Sequence, residues 1–340
     1  MPAENIFILG IESSCDDTAA SVIHQGRILS NEVASQKIHE SYGGVVPELA
    51  SRAHQQNIVP VVHQALKKAG ISKSQLSAIA FTRGPGLMGS LLVGTSFAKS
   101  LAYGLDIPLI DVDHMQAHIL AHFIEDAGSK KPPFPFLALT ISGGHTQIVR
   151  VDDNFKMTVI GETIDDAVGE AFDKSGKLLG LGYPAGPEMD KRAQLGNPKA
   201  YKFTKPKVDG LNFSFSGLKT AILYFVQRET KVDPDFVKNN LNDICASIQY
   251  TIVGILIDKL KLASKQTGIK HIAIGGGVSA NSGIREALKQ GEVKFGWTTY
   301  IPKFEFTTDN AAMIAIVGYL KYLEGHFSKQ DITASARLKF

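Results

Sequence analysis

Three histidines stand four residues apart, at His114, His118 and His122, in His114-Met115-Gln116-Ala117-His118-Ile119-Leu120-Ala121-His122. On a helix, residues four apart share one face, so the three imidazoles would project in a row. Two neutral imidazoles one turn apart can chelate a divalent ion, because ring nitrogens suit borderline metals. The same spacing also suits ordinary helix histidines, one buried and hydrogen-bonded and the others solvated. Asp309, within Thr307-Thr308-Asp309-Asn310, is a carboxylate that would complete a two-histidine, one-carboxylate site with open coordination positions. It is also well suited to be the N-cap of the helix that follows. Glu12-Ser13-Ser14-Cys15-Asp16-Asp17-Thr18 gathers acids and hydroxyls that could hold a metal-bound phosphate or position a nucleophile. Asp and Ser equally favour a plain turn.

These groups need elements to hold them. Asp113 is a cap for a helix running from His114 through Asp126, with Gly128 after its end. Residues 6–11 read as a buried strand, then the acidic turn, then a second strand at 19–23, which makes a hairpin. Residues 136–141, the turn Ser142-Gly143-Gly144-His145-Thr146 and residues 147–151 repeat that layout, as a duplicated nucleotide-binding fold would. Tyr42-Gly43-Gly44 leads into a helix with Pro47 in its first turn, ending at Gly70. A strand at 77–82 and a helix at 91–103 flank the loop Gly84-Pro85-Gly86-Leu87. That loop either exposes amides to an anion or packs strand closely against helix. It lacks the Gly-Lys-Ser/Thr ending of a Walker A loop.

Residues 161–174 read as a helix with a solvated acidic face, and 180–187 as a loop. Residues 191–207 carry six Lys/Arg and no acid, with Tyr201 and Phe203 among them. That mixture suits phosphates and stacked bases, or a solvated loop. A helix at 243–267 and a short strand at 270–274 lead to Gly275-Gly276-Gly277-Val278-Ser279-Ala280-Asn281. Formally this fits Gly-x-Gly-x-x-Ala, but it lies too late for a dinucleotide fingerprint. A glycine backbone under an adenine or ribose, with Asn281 as polar contact, fits better. A closing helix spans 311–324.

A chain of 340 residues is long enough for two domains, each with its own core. The clearest boundary is 128–133. A net charge of +3 permits an RNA partner without requiring one. Cys15 and Cys245 are the two cysteines, far apart, which suits a reducing cytoplasm rather than a disulfide framework. The start lacks a basic region, residues 6–10 are too short for a signal segment, and no apolar run reaches membrane-span length. A cytoplasmic protein with no membrane partner is expected.

Nine blocks, in order along nearly the whole chain, together carry a resemblance. They are residues 10–18, 42–48, 84–87, 114–118, 142–146, 161–166, the run Phe213-Ser214-Phe215-Ser216-Gly217-Leu218-Lys219, 275–281 and 308–310. The chain resembles the TsaD/Kae1 family of tRNA N6-adenosine threonylcarbamoyltransferases, formerly described as O-sialoglycoprotein endopeptidases, and the Phe213 block looks bacterial. The resemblance implies an α/β, duplicated actin/sugar-kinase/Hsp70-like fold, with two βα domains around a nucleotide-binding cleft. The expected halves are residues 1–130 plus about 310–340, and 131–309 with an inserted segment at about 185–240. The implied activity moves a threonylcarbamoyl group from threonylcarbamoyl-AMP to N6 of adenosine 37, in tRNAs reading codons that begin with A.

By position, His114, His118 and Asp309 match the family's metal ligands. One iron(II) ion per subunit is expected, with zinc or magnesium as alternatives. Thr140, Ile141, Ser142, Gly143, Gly144, Asp173, Gly186, Asp190 and Asn281 match substrate-binding positions. The turn at 142–144 would offer N–H groups to phosphate. Glu12 and His145 are the candidates to accept the amine proton, and His122 falls outside the pattern. The resemblance further implies an inactive TsaB-type paralogue as heterodimer partner and a TsaE-type P-loop ATPase. Residues 335–340 only loosely resemble the family's Arg-Pro-Arg-Trp ending. Competing readings are a metallopeptidase, a non-catalytic nucleotide-binding scaffold and a sugar kinase. Against the first, Met115 stands where His-Glu-x-x-His enzymes keep their general base.

Overall fold

Two hairpins open two five-stranded sheets of like order. The structure, a computed structural model, describes residues 5–125 and 130–339. Gly128, expected after the histidine helix, and the 128–129 part of the expected boundary lie outside the described residues. The chain divides into a first unit, Met1–Lys131 with Pro302–Phe340, and a second, Pro132–Ile301. Residues 302–309, expected from sequence in the second half, thus group with the first.

In the first unit, β1 (Phe7–Glu12), β2 (Asp17–His24) and β3 (Arg27–Ser35) pair antiparallel. β4 (Ala78–Gly84) and β5 (Leu109–Asp113) add parallel beside β1, giving the order β3-β2-β1-β4-β5. The parallel strands are joined by α1 (Pro47–Ala69) and α2 (Met88–Leu105). Parallel strands need such crossovers. Leu9, Ile11, Val22, Ile79 and Phe81 bury one sheet face against these helices, through Ile58, Val62, Ala98 and Ala102. Alternate residues face the other way, as the pleat requires. There α10 (Ala311–Leu323) lies so close that a Cβ on Gly10 would stand 2.6 Å from Ala315 N. A Cβ on Gly318 would stand 2.4 Å from the Ala80 Cβ. Small residues on both sides therefore set this approach. Residues 311–318 are all buried, as expected of a helix that is apolar all round.

The second unit repeats the plan. β6 (Phe136–Ile141), β7 (Thr146–Val151) and β8 (Met157–Glu162) are antiparallel. β9 (His271–Gly275) and β10 (Thr298–Tyr300) follow in parallel beside β6, so the order is β10-β9-β6-β7-β8. Its helices are α4 (Val168–Leu178), α5 (Gly186–Ala193), α6 (Ser216–Val232), α7 (Phe236–Asn239), α8 (Leu241–Thr267) and α9 (Ser282–Phe295). Leu139, Ile141, Ile148, Phe172, Phe213, Ile248 and Ile274 share its core.

Three local expectations change. Residues 161–166 are not helical: β8 ends at Glu162 and α4 begins at Val168. Asp165 is not a solvated face residue. Its carboxylate accepts from Phe215 N at 2.8 Å, Ser216 Oγ at 2.7 Å and Ser214 Oγ, tying the start of α6 to the acidic turn. Those three donors also hold its carboxyl below the usual range, against the effect of burial. Gly186, expected in a loop, opens α5, with Pro187 beside it in the first turn where its missing N–H costs nothing.

Candidate functional site

α3 (His114–Leu120) starts directly from the end of β5. The expected cap is present: Asp113 Oδ1 accepts from Gln116 N at 2.9 Å. The helix is shorter than expected, giving way to a 3-10 turn at Ala121–Phe123, so His122 leaves the α-helical row. All seven residues of α3 are buried, and Met115 lies in the core.

His114 and His118 do share a face. Their rings are 4.7 Å apart, edge to face. Asp309 joins them: its Oδ1 lies 3.4 Å from His114 Nε2 and 3.2 Å from His118 Nε2. It can do so because it is not the cap of α10. That part falls to Asn310, whose Oδ1 accepts from Met313 N at 3.1 Å. Of two adjacent residues able to cap, the backbone uses the second.

The donor set fits a divalent ion. Two imidazoles and a carboxylate offer ligand atoms all within 4.8 Å of one another. Both ring nitrogens of His118 are buried and make no hydrogen bond among the described residues. The 3.2 Å approach to Asp309 is an ion-pair distance without hydrogen-bond direction. A buried polar atom left unpaired is costly, and a metal ion would relieve that cost.

Glu12 takes up the other side of His114. It is fully buried at the end of β1, and its Oε2 is 3.1 Å from His114 Nδ1 and 2.7 Å from Thr82 Oγ1. Its Oε1 accepts from Ser14 N. A proton on Nδ1 directs the Nε2 lone pair to the Asp309 side, the arrangement that orients metal-binding histidines. Glu12 is thereby held against His114, Thr82 and Ser14. Sequence reasoning misses Thr82, since a lone Thr in a strand gives no signal. Burial works against charge on His114, but the carboxylates of Asp309 and Glu12 outweigh it and hold its pKa well above the ordinary value. Burial likewise pushes Glu12 and Asp309 up, while the charge of His114 pulls harder and keeps both carboxyls below their usual range. The turn behind Glu12 is braced by buried His54, which reaches Thr18 Oγ1 at 2.8 Å and Cys15 O at 3.0 Å.

The glycine loop after β4 is a packing device. Gly86 N donates to Ala336 O at 3.2 Å and Leu87 N to Ser14 O at 2.7 Å, so neither amide is left for an anion. A Cβ on Gly86 would stand 2.4 Å from Ser14 O.

The expected substrate positions lie in the second unit. Thr140 and Ile141 end β6, and Thr140 Oγ1 is buried without a hydrogen-bond partner among the described residues. The turn is closed by Ser142 N to His145 O at 2.9 Å and by His145 N to Ser142 Oγ at 3.1 Å. Gly143 and Gly144 are exposed, with open space where a Cβ would stand. Behind them α4 begins against the turn, with Gly169 N donating to Ser142 O at 3.2 Å. Across the sheet Thr140 pairs with Gly275. Gly276 has φ +87°, and a Cβ there would stand 2.4 Å from Ile141 O. The two glycine-bearing turns therefore lie side by side at one sheet end.

Asp173 Oδ1 accepts from Ala185 N at 2.8 Å and Gly186 N at 3.3 Å, and burial raises its pKa in spite of them. Asp190 accepts from Gln249 Nε2 at 3.0 Å and from Ser282 N and Oγ at 3.0 and 2.7 Å. Asn281 caps α9 through Ile284 N at 3.1 Å and donates to Gln249 Oε1 at 2.7 Å. Gln249 thus bridges Asp190 and Asn281. A polar residue in the apolar run of α8 is its only sequence signal.

A family model described as TsaD, tRNA N6-adenosine threonylcarbamoyltransferase, matches residues 27–316. The chain is 74% identical over 340 residues to the tRNA N6-adenosine threonylcarbamoyltransferase of Christiangramia forsetii, covering 100% of both chains. It is 62% identical to that of Riemerella anatipestifer, covering 97% of each. Among solved structures, HypF of T. kodakarensis aligns with a TM-score of 0.62 at 16% identity, covering 96% of this chain and 49% of that one. Component A of the Acidaminococcus fermentans (R)-2-hydroxyglutaryl-CoA dehydratase aligns at 0.54 and 15% identity, covering 94% and 99%. These likenesses bear out the duplicated actin/sugar-kinase/Hsp70-like α/β fold.

Proposed function

The chain belongs to the TsaD family of tRNA N6-adenosine threonylcarbamoyltransferases, and we propose that it transfers the threonylcarbamoyl group of threonylcarbamoyl-AMP to N6 of adenosine 37 in tRNAs reading codons that begin with A. The observation that carries this reading is the meeting of His114, His118 and Asp309, drawn from two distant segments that both match family blocks. These three residues would hold one iron(II) ion, with zinc or magnesium as alternatives. When bound, the ion would supply Lewis acidity to the carbamoyl carbonyl.

The chain's own residues do the rest. Glu12, steadied by Thr82, keeps the proton on His114 Nδ1 and the ring in place. The exposed turn at Gly143 and Gly144 offers backbone N–H groups to the phosphate of the nucleotide. Asp173, with Gly186 at the start of α5, and the Asp190–Gln249–Asn281 network hold ribose and adenine. The tRNA adenine, turned out of its loop as base chemistry requires, presents N6 to the carbamoyl carbon. The new bond is N6–C, the bond broken joins that carbon to the phosphate oxygen, and AMP leaves with the electron pair. Glu12 and His145 are the candidates to take the N6 proton. A tRNA substrate sets the reaction in the cytoplasm, and among the described residues no helix is long and apolar enough to cross a membrane. The resemblance also supports a TsaB-type paralogue and a TsaE-type ATPase as partners.

The test is single-turnover transfer from threonylcarbamoyl-AMP to unmodified tRNA, wild type against Asp309→Ala, with and without the two partners. Modified adenosine with wild type and little with the variant supports the reading. No product with partners present, while nucleotide and metal still bind, sinks it in favour of a scaffold. Chelator-sensitive peptide cleavage would revive the peptidase, although buried Met115 leaves α3 without that enzyme's base.

A further inference from the structure

The basic segment at 191–207 is only partly what its composition suggests. Its aromatics are not free to stack. Phe203 is buried and meets Phe225 edge to face at 5.3 Å, and Tyr201 lies 5.0 Å from Phe225 and 5.8 Å from Phe236. Phe203 and Phe225 form the floor of a pocket of about 160 Å³ between the segment and α6, rimmed by Lys202, Tyr224 and Arg228. The free aromatic is Tyr224, 66% exposed at the mouth. Arg228 stands 5.6 Å over the Phe225 ring and is held by Glu229 at 2.7 Å. Lys202 is exposed and makes no ion pair among the described residues. Lys231, one turn beyond Arg228, continues the same helix face. Residues 199–231 contain seven Lys/Arg against two acids, a net of +5 in a chain whose total is +3. The rest of the sequence is therefore slightly acidic, and this stretch carries the surplus of positive charge.

We propose that this pocket is a docking site for the tRNA outside the reacting nucleotide: one unpaired base stacks on Tyr224 against the Phe225 floor, and flanking phosphates lie on Lys202 and Arg228. The pocket and a splayed nucleotide are complementary. A π-face, a planar guanidinium and an unpaired ammonium around a base-sized opening match a splayed nucleotide, which carries a flat ring and a charge on each side. An acidic peptide would match the charge but leave the aromatic floor without a flat partner. This inference rests on the tRNA substrate proposed above.

The test measures binding of unmodified tRNA to the full chain across a salt series, for wild type, Tyr224→Ala and Lys202→Ala/Arg228→Ala. Tyr224 is mostly exposed, so its removal spares the core. Tyr224→Ala is expected to weaken tRNA binding about 5- to 150-fold, the range of one lost base stack. The double variant lowers the salt slope by about one per residue removed. Threonylcarbamoyl-AMP affinity stays at the wild-type value in both, and ultraviolet cross-linking places tRNA on the Tyr224 peptide. Unchanged tRNA affinity and slope in the variants overturn the inference, as does competition by a polyglutamate peptide that matches a single-stranded RNA of equal charge. The transferase reading fails separately. Wild type that modifies tRNA, with variants that do so at unchanged KM for tRNA, removes only the docking site. A variant-sensitive tRNA complex with no transfer removes only the reaction.

Discussion

Glu12 Oε2 lies 3.1 Å from His114 Nδ1, although Glu12 ends β1 and His114 opens α3, 102 residues further along the chain. The contact assigns the two nitrogens of His114 to different tasks. Nδ1 faces a buried carboxylate and Nε2 faces Asp309.

Because Glu12 contacts His114 Nδ1 and lies outside the proposed ligand set, Glu12→Gln keeps the ring in place while losing the charge. Metal affinity is expected to fall about 10- to 100-fold, as for other outer partners of ligating histidines. Competition against a chromophoric chelator reads this directly. An affinity equal to wild type would show that Thr82 and packing suffice.

Neighbouring Asp309 and Asn310 separate function from stability. Asp309→Ala removes a proposed ligand, and metal affinity should fall by more than about 100-fold, beyond the effect of an outer partner. Asn310→Ala removes the α10 cap, which costs about 1 kcal/mol and lowers Tm by a few degrees while metal binding persists. Thermal melts and metal titrations on the two variants should give opposite patterns.

The carboxylates of Asp309 and Glu12 raise the pKa of His114, so the ion-free protein holds a proton there more tightly than a free imidazole would. Metal binding must expel any proton on the ligating nitrogen, so affinity rises as pH rises through that raised value, with proton release on binding. Calorimetry in buffers of different ionisation enthalpy counts that proton. In ion-free protein the sign for stability is opposite. The stabilisation from protonated His114 is complete below the unfolded value of about 6.5. It is lost as pH rises through the higher folded value.

Gly276 tests the second unit. Its φ is +87°, and a Cβ added there would meet Ile141 O at 2.4 Å, which leaves no room for a side chain. Gly276→Ala is expected to destabilise by about 1–3 kcal/mol, from left-handed strain alone, and to weaken nucleotide binding by moving the β6 turn. Nucleotide affinity unchanged in a destabilised variant would confine Gly276 to packing.

Much of this protein is legible along the chain. The hairpins at 7–24 and 136–151, the Pro47 helix with its Gly70 end, and the Asp113 cap follow from period, turn chemistry and capping, all of which act over a few residues. His114 and His118 share a face for the same local reason. The rest depends on partners far away in sequence. Residue type does not decide which of Asp309 and Asn310 caps α10, since both are good caps. The closing turn aims Asp309 at the histidines and leaves the cap to Asn310. Asp165 reads as a solvated helix residue along the chain because its four donors lie on a segment that only folding brings near. Close packing commits the Gly86 and Leu87 amides to the backbone of Ala336 and Ser14, which no spacing rule reports. Sequence alone determined the elements and the kinds of donor available. Tertiary structure decided which donors face each other, because burial forces each polar group to find a partner wherever the fold has placed one.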